Sequence, residues 1–285
     1  MKLAITTALL CFASLVYGAD TLHVTTSIEL INGIGSDKVI ILEPGVYNVS
    51  TVDPTLVQNE QVVYSNENGY TLKGVKKLII EGLGSNAIDT KITSSNVKQH
   101  VLGFLGCADI TLKNLEGSHD KISKENELAE IWLFNQCSRI KIQNNVLHTG
   151  SVGLKISRCK EVELSGSKIH GCAGGFIDLV DSWTLRIANN QFVYNTACSA
   201  FWLMSGCMDV RVEECLIENN VFEVSHNCRA SKLFAISRSE MVQFQNCIIR
   251  NNETRYLGTA DAVRLIQPNN TLKRNKFSEM SPVVK

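Results

Sequence analysis

The stretch Trp132-Leu-Phe-Asn-Gln-Cys137-Ser-Arg-Ile140-Lys-Ile142 is repeated in pattern by Leu154-Lys-Ile-Ser-Arg-Cys159-Lys-Glu-Val162-Glu-Leu164. Each holds an apolar-x-apolar pair, a cysteine three residues on, and a second apolar-x-apolar pair three residues after that. The same unit stands at Leu102-Gly-Phe104 with Cys107 and Ile110-Thr-Leu112, and at Ile177-Asp-Leu179 with Ser182 and Leu185-Arg-Ile187. Two more copies are Trp202-Leu-Met204 with Cys207 and Val210-Arg-Val212, and Phe234-Ala-Ile236 with Ser239 and Val242-Gln-Phe244. Successive anchors from Cys107 to Ser239 are 30, 22, 23, 25 and 32 residues apart.

Alternation of period two specifies strands, and a unit this short cannot bury its own apolar face unless it stacks on copies of itself. Thr111, Lys141, Glu163, Arg186, Arg211 and Gln243 sit between the apolar positions of the second pair, so that strand has one dry and one wet face. A third apolar position follows five residues later, at Leu147, Ile169, Phe192, Ile217 and Ile249. Three short strands per unit close one triangular turn, which makes the chain an all-β parallel β-helix, a solenoid. A leucine-rich repeat lacks support in the Leu and Asn spacing, and a propeller blade needs about 40 residues or more.

Stacking in register predicts an internal ladder of Cys107, Cys137, Cys159, Ser182, Cys207 and Ser239, with Asn145 and Asn190 sharing a turn. Adjacent strands lie about 4.8 Å apart, but a disulfide also needs Cβ vectors turned toward each other, so most of these cysteines are expected to be buried thiols. Cys215 and Cys247 share a turn position and are the preferred pair for a real bridge.

The chain begins Met1-Lys2, runs apolar from Leu3 to Val16 and reaches small residues at Gly18 and Ala19, the layout of a secretory signal peptide over residues 1–18. This run is short of the roughly 20 residues that span a bilayer. The expectation is a secreted or periplasmic protein, residues 19–285 forming one β-helix domain with no membrane insertion. Of ten cysteines, Cys11 would leave with the signal peptide, and the nine that remain cannot all pair within one chain. The 28 basic and 28 acidic residues balance, which speaks against a nucleic-acid partner.

The repeat resembles that of the pectin-lyase-like superfamily, whose fold is a single-stranded right-handed parallel β-helix with a short N-terminal capping helix. Lys38-Val-Ile-Ile-Leu-Glu-Pro-Gly-Val-Tyr-Asn-Val49 is similar to the first coil of that family, and Val75 to Gly84 to a following one. Ser27 to Gly35, with a Ser cap, Ile28, Leu30 and Ile31, fits the helix that plugs the first coil. The resemblance spans residues 20 to 278; Val263-Arg-Leu265 and Leu272 are read as a last incomplete coil. It implies fold more than activity, since the superfamily holds lyases, hydrolases, epimerases and adhesins.

The resemblance implies a substrate groove on the outer face of the first strand. Outward positions there read Gly103, Leu133, Lys155, Asp178, Leu203 and Ala235, and Val101, Ile131, Gly153, Phe176, Phe201 and Leu233 make this face unusually apolar. Lys155 and Asp178 share an offset and are expected side by side. A lysine beside a carboxylate can abstract the proton next to a uronate carboxyl, or be a cross-strand ion pair. His148 and His170 also share an offset, with His119 one residue further along in its unit. The catalytic candidates are thus Lys155 and Asp178, and the substrate-binding candidates His148, His170, Leu133 and Leu203. The calcium ligands of pectate lyases and the clustered aspartates of polygalacturonases are missing, Gly117-Ser-His119-Asp120 being only distantly similar to the latter, and no metal or other cofactor is implied. The expected function is binding or processing of an extracellular polysaccharide on this face, as a lyase or glycoside hydrolase if an enzyme. The alternative is a non-catalytic, adhesin-like surface protein.

Overall fold

A computed structural model describes residues 20–120, 129–197, 199–222, 232–266 and 268–278. Among these, three nine-stranded sheets run the length of one stack. The first sheet holds the first strand of each unit, such as Trp132–Asn135, Val152–Ser157, Gly175–Val180 and Ala200–Ser205. The second holds Ser138–Gln143, Lys160–Ser165, Trp183–Ala188 and their equivalents, and the third Glu116–His119, Val146–His148, Lys168–His170 and theirs. Pairing is parallel, except where Val62–Ser65 folds back on Gly69–Lys73 in the first sheet.

The register bears out the repeat. Leu102, Trp132, Leu154, Ile177, Trp202 and Phe234 pair in sequence along the first sheet, and Leu147, Ile169, Phe192, Ile217 and Ile249 along the third. Inward residues stack like on like: Phe104 and Phe134 rings lie 4.4 Å apart and nearly parallel, and Trp202 meets Phe176, Phe192, Phe234 and Phe244 at 5.3–6.0 Å. Since deleting a large buried aromatic costs about 3–5 kcal/mol, Trp202→Ala is expected to lose that much. A guanidinium titration with unchanged midpoint would contradict it.

The cysteine ladder forms as buried thiols. Backbone N–H groups of Cys107 and Cys137 point at the next cysteine sulfur at 3.4 Å, and those of Cys159 and Cys207 donate to Ser182 Oγ at 3.0 Å and Ser239 Oγ at 3.1 Å. Cys215 and Cys247 are free thiols as well, so the expected bridge is not formed; each thiol instead points at a backbone carbonyl of its own turn. Cys11 and the rest of residues 1–19 lie outside the described residues.

Two buried side-chain ladders turn the chain between sheets. One includes Asn145, Ser167 and Asn190, each accepting the N–H of the coil before. The other, absent from the reading of the repeat, runs through Cys172, Asn195, Asn220, Asn252 and Asn275, with each N–H 3.0 Å from the next asparagine Oδ1. It borders a fourth, four-stranded sheet at the corner between the third and first.

The ends are closed by helices. Ser27–Gly33 plugs the first coil with Leu30 and Ile31 fully buried, but its cap is Thr26, whose hydroxyl accepts from Glu29 N while the Glu29 carboxylate returns to the Thr26 N–H. Leu272 joins the third sheet opposite Ile249, whereas Val263-Arg-Leu265 belongs to the helix Ala260–Ile266. As a helix that segment satisfies its backbone internally and lays Ala262 and Ile266, four residues apart, on the core.

Candidate functional site

The first sheet bends one residue before its inward row. Val152 pairs with Gly175 and Leu154 with Ile177, while Gly153 and Phe176 drop out of the ladder between them. Phe201 and Leu233 do the same one and two coils on. The expected apolar outer row is therefore a core row: Val101, Ile131, Phe176, Phe201 and Leu233 are completely buried. The bend gives two consecutive inward residues, so the positions before it face outward together with Lys155 and Asp178. His100 and Glu130 occupy those positions.

Glu130, Lys155 and Asp178 help to line a cavity of about 410 Å³, together with Ser151, Ser199 and Leu203 among others. Lys155 and Asp178 are register partners, as expected. The Lys155 ammonium, however, donates to Glu130 Oε1 at 2.7 Å, and His100 Nδ1 lies 3.0 Å from the other Glu130 oxygen, though poorly aligned for a hydrogen bond. The Asp178 carboxyl makes no hydrogen bond among the described residues.

The electrostatics separate the two carboxyls. Burial pushes Glu130 up, but the adjacent His100 ring and the hydrogen bond from Lys155 outweigh it and hold the group at about 2. Burial dominates at Asp178 and raises it, with Lys155 opposing and Glu130 reinforcing the rise. Burial would lower Lys155, yet Glu130 and Asp178 leave it above the ordinary lysine value. An amine held as a cation is a poor base; of the two carboxyls, Asp178 is the one whose protonated form its surroundings favour.

Glu130 is the cavity residue that the repeat did not reveal. Its side chain is 17% exposed, and its depressed pKa stabilises the folded chain above the ordinary glutamate value of 4.5. That stability is lost as pH falls from there toward about 2. Glu130→Gln is expected to cost on the order of 2–3 kcal/mol at pH 7, the deficit shrinking across that window in denaturant titrations; a pH-independent deficit would contradict the assignment.

Of the other expected residues, Leu203 lines the cavity, while Leu133 lies beside it in register with Lys155, half-buried on the same face. His148 and His170 pair in the third sheet, with rings stacked 4.9 Å apart, so they face a different side of the coil. His119 is buried, its Nε2 2.8 Å from the Gln99 carbonyl oxygen and its Nδ1 3.2 Å from that of Thr149. A larger concavity of about 820 Å³ covers the outer face of the second sheet. Two pairs of its charges meet each other, Asp37 with Lys77 at 3.2 Å and Asp109 with Arg139 Nη2 at 2.8 Å.

A family model described as a right handed beta helix region matches residues 57–229 and, overlapping, 125–277. No curated protein matches the sequence. Among solved structures, a pectin methylesterase in complex with hexasaccharide VII is 12% identical over 80% of this chain and 73% of that one, with a TM-score of 0.39. An alginate lyase from Paenibacillus sp. str. FPU-7 is 10% identical over 92% and 99%, at 0.38. PfbA, a surface adhesin of Streptococcus pneumoniae, is 11% identical over 92% and 82%, at 0.32. No residue role passes from them to this chain.

Proposed function

Because the chain belongs to the right-handed β-helix family, we propose that it binds an extracellular polysaccharide across the outer face of the first sheet and cleaves it by acid-assisted glycoside hydrolysis. The single observation that supports this reading is a cavity that holds two carboxyls whose pKa values are driven apart, Asp178 upward and Glu130 down to about 2. Asp178 gives its proton to the glycosidic oxygen as the bond to the anomeric carbon breaks; water then adds to that carbon and returns a proton to the Asp178 carboxylate. Glu130 supplies fixed negative charge near the positive charge that develops on the sugar ring. Lys155, a cation beside both, orients Glu130 and contacts hydroxyl or uronate oxygens. Leu133 and Leu203 give the sugar faces an apolar border. Residues 1–18 act in this reading as the export signal, leaving residues 19–285 as the working β-helix.

The test incubates the mature chain with neutral and uronate polysaccharides, following new reducing ends and, separately, the absorbance of unsaturated products. Reducing ends without unsaturation support hydrolysis. Unsaturated products would replace Asp178 as acid by an elimination chemistry. Binding without any product would reduce the site to a lectin-like one, the adhesin-type alternative. No binding at all would end the reading.

A further inference from the structure

The corner leading from the third sheet into the first carries a relay that the cavity does not use. Thr149 Oγ1 lies 2.6 Å from His148 Nδ1, and His148 Nε2 lies 2.7 Å from Glu116 Oε1. Glu116 is only 4% exposed and is also paired with Lys91 Nζ at 2.6 Å. Burial alone would push this carboxyl up, but His148 and Lys91 together hold it below the ordinary glutamate value, and so ionised. An ionised carboxylate only accepts hydrogen bonds. The imidazole proton is therefore assigned to Nε2, which leaves the Nδ1 lone pair facing the threonine hydroxyl. A hydroxyl, a base aimed at it and a third group orienting that base are the parts of an activated nucleophile.

Two further features set the group apart. His170 stacks on His148, the planes 14° apart, and burial, with His148 and Lys168 nearby, pushes His170 down to about 4. It is thus a neutral slab that fixes the ring without adding charge. Thr149 itself has φ +66°, at a turn position that the following coils fill with Gly171, Tyr194, Asn219, Asn251 and Arg274. A β-branched residue is the least suited to that backbone region, and such outliers gather at functional sites. The hydroxyl remains reachable: Thr149 is half-buried, and the His148 side chain is 23% exposed.

We propose that Thr149, His148 and Glu116 form a site for hydrolysis of carboxylic esters, such as O-acyl groups on a hydroxylated molecule. It is separate from the glycan cavity and does not rest on it. Thr149 Oγ1 attacks the ester carbonyl carbon while its proton passes to His148 Nδ1. The bond from that carbon to the alcohol oxygen breaks, His148 returns the proton to the departing oxygen, and the acyl group stays on Thr149. Water then adds to the acyl carbon, giving a proton to the same nitrogen; the bond to Thr149 breaks, the hydroxyl takes back the proton and the acid leaves. Thr149 and His148 are the catalytic residues. Glu116 and His170 are positioning residues.

The test uses the full chain with p-nitrophenyl acetate, following nitrophenolate release and locating acetyl groups by peptide mass spectrometry. The site predicts a burst of release, an acetyl adduct on Thr149, at least a 100-fold loss of both in Thr149→Val, and retained turnover in Thr149→Ser. Glu116→Gln is expected to lower kcat at least tenfold with KM little changed. An adduct confined to another residue, or turnover unchanged in a folded Thr149→Val, would overturn the site. Should that variant not fold, absence of an adduct on Thr149 in the native chain overturns it equally.

Discussion

Replacing Asn220 by leucine is expected to destabilise the coils around it by on the order of 4–6 kcal/mol, the cost of stranding several buried polar groups. Asn220 is fully buried. Its Oδ1 takes both the Asn195 N–H and the Asn195 side-chain amide at 3.0 Å, and its own amide donates to the Phe192 carbonyl oxygen and to Asn252 Oδ1 at 2.9 Å. Leucine has the same number and branching of side-chain heavy atoms and is the bulkier residue, so no cavity opens. What is lost is hydrogen bonding: the buried Asn195 N–H loses its acceptor and the Phe192 carbonyl oxygen and Asn252 Oδ1 each lose a donor, while the Asn195 side-chain amide keeps only the Ile169 and Val193 carbonyl oxygens. Extra apolar burial offsets little, because the leucine must sit against those same groups. In a solenoid each coil leans only on its neighbours, so loss is expected to start locally and to separate the unfolding of the C-terminal coils from that of the rest. Hydrogen exchange in guanidinium would show the coils from Asn195 onward opening first. A variant within 1 kcal/mol of the native chain would mean that the ladder is not a structural spine.

Asp178→Asn is expected to lower glycan turnover by a factor of about 10²–10⁴, the usual worth of a positioned acid, and at the same time to raise the melting temperature by a few degrees. Both follow from one fact, the raised pKa that burial imposes on this carboxyl. A folded-state pKa above the unfolded one penalises the native chain once pH exceeds the unfolded value, and the penalty is complete above the folded value. Asparagine has no charge to bury, so the stabilisation appears at pH 7 and vanishes near pH 3. A variant equally stable at both pH values, or one retaining turnover, would contradict the role. Stability surrendered for a working group is the expected trade at an active site.

The fold was legible because the same offsets recur six times, and offsets are what parallel stacking converts into neighbours. Lys155 beside Asp178 and His148 over His170 followed from that alone. Three matters did not. The bend that sends Phe176 and Phe201 inward breaks strict alternation, and no residue type announces it, since an apolar side chain suits either face. Glu130 depends on that same bend, so it stayed hidden with it. The charge state of Lys155 could not be read either, because it is set by Glu130, 25 residues away in sequence and one coil away in space. The asparagine ladder did leave a signal, a second small polar residue five positions after the first, as in Asn190 and Asn195 or Cys215 and Asn220. Its meaning needed the corner to be seen.

The most direct measurement is a carbon-13 NMR titration of the Glu130 and Asp178 carboxyls in the intact chain, each assigned by its Gln or Asn variant. The account predicts that Glu130 changes near pH 2 and that Asp178 changes above the ordinary aspartate value of 3.8, so that one is ionised while the other still carries its proton. Two carboxyls titrating together at ordinary values, or Asp178 ionising first, would contradict it.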